Sequence, residues 1–444
     1  MSALPRPAAT LSPALRSFEA LWRTREPDTL EALRENAMKR VLRLGLPSTR
    51  DESWRYTNLR TLMQASYIDA PRTLPLGLEP AASSVLLGES AAAASVLVVN
   101  GHPVISTTDE RYNGLEISSI KELSRTNPGL IAAHIEPLSD ADQARWGLLN
   151  AALFEDGLYL RITAKIAAPV VIQHVLSANG ANAVAYPRVI IEAAPGSSAT
   201  IIEHYVEGGA AAPLCNSATH IAAGTDSQID HYRVFATGTD ASHIDSLTVR
   251  QDANSRCKQF TVALGGALVR CSLEADLNQP GAALDSYSLL VGHESRHVDC
   301  VNIATHNARD TRSRQTARAI AGGTSRVVFN SKVVVNAGAI RADSRQSCRG
   351  LLLSPTAEID ARPQLEIHAD EVKCAHGATV GRLDPDMLFY MLSRGLDRET
   401  AQSLLIYAFL ADVLTDMSVA SARSSIETAL IAQLPDSQIL HKFR

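Results

Sequence analysis

The spacing of apolar positions changes twice along this chain. From Ser12 to about Gln64, apolar residues recur every three or four positions in LRSFEALW and DTLEALRENAMKRVLRLGLP, which predicts helices, and Gly45 and Pro47 end the second. An aromatic-polar segment, DESWRYTNL, follows, and then a Pro/Ala-rich passage around residues 70 to 95 that reads as linker. From about Val96 to Val372 the period is two. RVIIEAAPGSSATIIEHYVE, ATHIAAGTDSQIDHYRVFA, SLTVRQDANSRCKQFTVAL and RVVFNSKVVVNAGAIRAD each hold a β-rich run, a tight turn and a second β-rich run. Turn centres near Gly196, Gly224 and Ala253 stand 28 and 29 residues apart, and those near Gly323, Gly338 and Thr356 stand 15 and 18 apart.

Spacing near thirty residues without helical interludes predicts a stacked β-solenoid, each rung covering the apolar face of its neighbour. A two-sheet sandwich is the competing reading, because periodicity does not say how strands stack. After Arg382 the helical period returns. Asp384 and Pro385 form an N-cap and first-turn proline, Gly395 ends that helix, Asp397 starts a longer one through SLLIYAFLADVL, and SSIETALIAQL makes a third. The middle helix is apolar over much of its surface, which means either burial against the β region or a docking face. The expected organisation is mainly β: an N-terminal helical domain and linker (1–95), a parallel β-helix core (96–372) and a C-terminal helical domain (373–444).

With 444 residues, 45% of them apolar and 20% charged, the chain can bury a sizeable core. Its net charge of −5 and 5% aromatic content argue against a nucleic-acid partner. MSALPRPAATLSPALRSF lacks a signal-peptide apolar region, and the apolar stretches fall short of the roughly 20 residues a membrane span needs. Six cysteines, Cys215, Cys257, Cys271, Cys300, Cys348 and Cys374, form no C-x-x-C. The expectation is a cytoplasmic protein with free thiols.

HESRH, His293 to His297, matches a zinc-protease pattern that works only on a helix, where positions four apart share a face. The flanking residues alternate as a strand does, and on an extended chain the two histidines stand roughly 13 Å apart. A metalloprotease is rejected. No G-x-x-x-x-G-K-[ST] is present, so the chain should not hydrolyse ATP, and no G-x-S-x-G elbow appears.

EVKCAHGATVGRLD, Glu371 to Asp384, holds the remaining chemistry. Cys374 and His376 stand at i and i+2, so on a strand they share a face and can reach one metal or cluster. A packed cysteine beside a hydrogen-bonded histidine is the competing reading. Iron–sulfur clusters take four ligands, mostly cysteines, so any cluster here needs ligands from neighbouring rungs or another chain. Cys348 lies 26 residues earlier, near an adjoining rung.

PQLEIHADEVKCAHGATVGRLDPDMLFYMLSRGL and the following AQSLLIYAF resemble the C-terminal signature of the SufB/SufD family, the scaffold of SUF iron–sulfur cluster assembly. GLPSTRDESWRYTNL resembles the N-terminal segment of its SufD branch, and THNARDTRSRQTARAIAGGTSRVVFN its central region. The resemblance implies a parallel β-helix between helical domains and a non-catalytic scaffold. Implied partners are a SufB-type subunit and a SufC-type ABC ATPase, the latter docking on the C-terminal helices, where Arg394, Gly395 and Tyr407 are the expected contacts. Also implied is a nascent iron–sulfur cluster, shared with the partner at His376 and its neighbour Cys374 and not held stably by the isolated chain. A third reading is a stand-alone homo-oligomer, a homodimer of the isolated chain, using exposed β-helix edges. Flavin binding is left open. The alternative class is a β-helix carbohydrate-active enzyme.

Overall fold

A computed structural model of the chain describes residues 11–72, 92–104, 113–135, 141–178, 182–208 and 213–433. Its centre is a β-solenoid of about seven turns. Successive strands alternate between two parallel-stacked sheets. Ser242–Gln251, Leu268–Leu277, His297–His306, Arg326–Val335 and Glu358–Ile367 follow one another in the first sheet. Arg256–Ala263, Ala283–Gly292, Arg312–Ala321, Asp343–Leu352 and Lys373–Gly381 follow one another in the second. The sandwich alternative is thereby excluded, since sequence neighbours lie in opposite sheets and pairing joins each strand to the one a full coil away.

One column of turns shows why the spacing works. Gly196, Asp226, Asn254, Gly281, Asp310, Arg341 and Glu371 all have positive φ, between 55° and 78°. Asp226 donates its N–H to the Ala253 carbonyl (2.9 Å), and Arg341 donates to that of Glu371 (3.0 Å). The left-handed conformation costs a non-glycine residue roughly 1–2 kcal/mol, offset here by bonds that tie each turn to the next. The shorter spacings near the end of the chain have the same origin. Gly323 and Thr356 lie on the opposite side of the coil from Gly338, and Thr356 Oγ1 donates to the Gly323 carbonyl (2.7 Å). A step of about fifteen residues is half a coil.

The helices flank the solenoid. α1 (Pro13–Arg23) and α2 (Glu31–Leu44) precede a short α3 (Arg60–Gln64). Three further helices interrupt the β region, contrary to the sequence expectation: α4 (Ile120–Thr126), α5 (Pro128–Ile135) and α6 (Arg145–Leu153). Their origin is local. Ser119 caps α4 by accepting from Glu122 N (3.2 Å), Pro128 opens α5, and α6 is apolar enough to be buried from Trp146 to Leu153. Phe18, Met38, Val41 and Trp146 pack with the outward residues Tyr159, Ile190 and Ile244 of the first sheet.

DESWRYTNL fastens this layer to the coils. Trp54 lies 3.8 Å from the Arg270 guanidinium, which pairs with buried Asp299 and donates to the Ser53 carbonyl (2.8 Å). Most of the Pro/Ala-rich linker reading, on residues 73–91, lies outside the described residues.

On the other side, α7 (Pro385–Ser393), α8 (Arg398–Leu414) and α9 (Ala420–Ile431) follow the solenoid. Asp384 accepts from Asp386 N (2.9 Å), Asp397 from Thr400 N (2.9 Å), and Gly395 takes φ 90° after α7. Ile406, Leu410, Leu414 and Ile426 pack on Ile202, Val234, Val262 and Ile320 of the second sheet. Burial is therefore what the apolar surface of the middle helix serves. The parallel stack runs on to Gly381, beyond residue 372 where the sequence reading placed its end, because the period-two pattern persists until Asp384 starts a helix.

The interior is not purely apolar. Glu203, fully buried, accepts from His174 Nε2 (2.9 Å), His231 Nε2 (2.8 Å) and Thr219 Oγ1 (2.7 Å). A coil further on, Arg233 pairs with Asp245, which also accepts from Ser217 (2.5 Å). Burying these charges is costly, and pairing of this kind offsets the cost.

Candidate functional site at the open end of the solenoid

The last coil has no successor. Its strands, Glu358–Ile367 and Lys373–Gly381, each stand at the end of their sheet, so one edge of each carries unpaired backbone groups. Side chains that would face the lumen in earlier coils are uncovered here, and Ile367 and Val380 are 42% and 43% exposed. Pro363 sits within the first of these strands, a residue that cannot donate to a further ladder and is tolerated at an edge.

Cys374 and His376 are both on the last strand, in register with Ser344 and Gln346 of the preceding coil. Ser344 and Gln346 are buried; Cys374 is half-buried and His376 exposed. The i, i+2 spacing therefore places thiol and imidazole side by side at the mouth of the solenoid, on the face that continues the lumen wall. Burial, with the Asp343 charge nearby, pushes the Cys374 thiol above its ordinary value, while the Ser344 backbone N–H opposes the shift. As the chain stands, the thiol is protonated and needs a metal or a base to become a ligand.

Among the described residues no group of three or more His, Cys, Asp or Glu side chains is arranged to hold a metal ion. Two soft-to-borderline donors on an open rim make an incomplete set for an iron–sulfur cluster. Cys348 does not complete it. It is register partner to Ala378 rather than Cys374, it is buried, and burial raises its thiol to about 12. The HESRH segment is neither helical nor extended but a turn between strands, closed by Arg296 N donating to the His293 carbonyl (3.2 Å), with His297 Nε2 2.9 Å from Thr57 Oγ1.

Next to the rim, α7 presents a second feature. None of its residues is buried, and Met387, Phe389 and Tyr390 are 57%, 72% and 57% exposed. Arg394 lies 5.0 Å from the Tyr390 ring and is exposed, as is Gly395. Tyr407 differs, being half-buried on α8 against the second-sheet cluster. Three exposed large apolar side chains on nine residues exceed the scattered singles usual on a surface. Phe389 and Tyr390 were absent from the expected contacts. The signal available was that PDMLFYMLS has more apolar residues than one helix face can bury.

Residues 175–409 match the family model described as SUF system FeS cluster assembly, SufBD core domain, and residues 14–174 match the SufBD protein N-terminal region. The iron–sulfur cluster assembly protein SufD of Escherichia coli is 28% identical over 443 residues, spanning 98% of this chain and 99% of its own length. A SufBD family iron–sulfur cluster assembly protein of Synechocystis is 26% identical over 416 residues, 90% of each chain, and the SufD protein of Bacillus subtilis is 24% identical over 65% of this chain and 67% of its own. With its solenoid, its N-terminal helices, α7 and the open rim inside the matched span, the chain belongs to the SufBD family of SUF-system iron–sulfur cluster assembly proteins.

Proposed function

We propose that this protein is a non-catalytic scaffold subunit of iron–sulfur cluster assembly, which pairs through the open end of its solenoid with a SufB-type subunit. One observation carries this reading: the only two adjacent soft donors singled out by the sequence, Cys374 and His376, stand on a strand whose outer edge is unpaired. A partner strand added to that edge would satisfy its backbone groups and bring further ligands to the same place. The nascent cluster is then cargo, held jointly while it forms. The same edge would serve a homodimer when the partner is missing. A SufC-type ATPase docks on α7, where the exposed aromatic patch lies close to Arg394 and Gly395. Family membership sets aside the carbohydrate-active alternative.

The test is co-expression with SufB-type and SufC-type subunits, with iron and sulfide quantified in the purified assembly. Recovery of a ternary complex that loses its iron and sulfide, but not its subunits, on His376→Ala supports the reading. Failure of the chain to co-purify with a SufB-type subunit overturns it.

A further inference from the structure

On the opposite side of the molecule from its expected chemistry, a cleft of about 430 Å³ opens where the segment after α1 meets α4 and the end of α6. Its volume falls within the roughly 300–1,000 Å³ of small-molecule sites. Five basic side chains line it, Arg25, Arg34, Arg72, Lys121 and Arg125, against three carboxylates. The carboxylates are largely spoken for. Asp28 pairs with Arg34 (2.9 Å), and Glu155 pairs with both Arg25 and Arg72, leaving only exposed Glu26.

Lys121 and Arg125 have no ion-pair partner among the described residues, and one helical turn apart on α4 they share a face. Both are exposed arms able to fold onto a ligand. Behind them the cleft is built from buried groups. Arg25 keeps its Nε buried without a hydrogen-bond partner. Phe154, also lining the cleft, is flanked by the guanidinium of Arg34 at 4.2 Å and that of Arg188 at 4.8 Å. Arg188 is buried, donates Nε to Asn150 Oδ1 (2.8 Å), and has no carboxylate partner among the described residues, with its Nη2 unpartnered. A buried guanidinium without a counter-charge is costly, and its field reaches into any low-dielectric space beside it.

We propose that this cleft binds a compact polyanion, a diphosphate group, either free or as the phosphate end of a larger small molecule. A single small anion would meet Glu155 at the centre of the cationic set. With two anionic groups, a diphosphate can engage Lys121 and Arg125, one helical turn apart, while the Glu155 pairs with Arg25 and Arg72 stay intact. Thr29 Oγ1 donates to Ser124 Oγ (3.1 Å), which donates in turn to the Lys121 carbonyl (2.9 Å), so this wall is fixed by its own hydrogen bonds. The inference does not rest on the scaffold reading.

Isothermal titration calorimetry of the full chain against inorganic pyrophosphate, ADP and, at matched ionic strength, sulfate tests it. One saturable site for pyrophosphate, weakened at least about tenfold in a Lys121→Ala/Arg125→Ala double variant that melts like the parent, is expected. Equal affinity for ADP and pyrophosphate identifies the free diphosphate as sufficient, and tighter ADP binding identifies a larger molecule. No heat with either ligand, sulfate binding as tightly as pyrophosphate, or undiminished binding by the double variant overturns the proposal.

Discussion

Gln346 and His376 are register partners on adjoining coils, yet Gln346 is 4% exposed while His376 lies open to solvent. The same lumen-wall position is sealed in one coil and presented in the next, only because stacking stops. The first prediction follows from that difference. His376→Ala removes no packing, so stability should change by within about 0.5 kcal/mol, read by urea unfolding. Iron and sulfide recovered with the assembled complex should fall sharply. Cys374→Ala, which removes a half-buried thiol, should give an intermediate loss. Unfolding of the His376→Ala chain would show that the histidine serves the core instead.

Phe389→Ser combined with Tyr390→Ser should abolish co-purification of a SufC-type ATPase. Exposed aromatics at an interface centre typically carry about 2 kcal/mol or more of binding each. Circular dichroism and the melting temperature should stay near those of the parent. Tyr407→Ala should behave in the opposite manner, lowering stability because that ring packs against the second sheet. ATPase retention by the double variant would remove α7 as the docking site.

Arg270→Ala should destabilise the chain by about 3–5 kcal/mol, the usual consequence of stripping one partner from a buried ion pair. It leaves Asp299 buried and also removes the platform under Trp54. Replacing both, Arg270→Met with Asp299→Leu, should recover much of the loss. The comparison is read from urea midpoints at constant slope. If the double variant is no better than Arg270→Ala, the Trp54 contact rather than the unpaired charge dominates.

Acid should weaken the fold through its buried histidines. His306, bonded to Thr311 and Ser313 (2.8 Å each), and His243 are pushed down from 6.5 to about 4 and about 3, chiefly by burial. Unfolded, both rings take up a proton as pH falls through 6.5; folded, they do so only near their depressed values. The unfolded state therefore binds more protons between these limits. Stability from this source is complete above about pH 6.5 and is lost as pH falls toward 4. The urea midpoint should drop between about pH 7.5 and pH 5, and His306→Gln should make that drop smaller. An unchanged pH dependence in His306→Gln would assign the acid sensitivity elsewhere.

Much of this protein is local and was therefore legible in its sequence. The caps Asp384 and Asp397, the stop at Gly395 and the turns every thirty residues each rest on a few neighbouring residues and their backbone preferences. The shared face of Cys374 and His376 follows from strand geometry alone. Tertiary structure decided the rest. Only stacking shows that Cys348 faces Ala378 rather than Cys374, and that α8 spends its apolar surface on the second sheet while α7 leaves Phe389 and Tyr390 uncovered. The helices from Ile120 to Leu153 lay hidden inside a region whose dominant period was two. Glu203 with its two histidines, and the cleft around Arg25, join residues from separate segments that no spacing rule connects. Local preference sets the shape of each coil; which coil comes last, and what it leaves open, depends on contacts made across the whole chain.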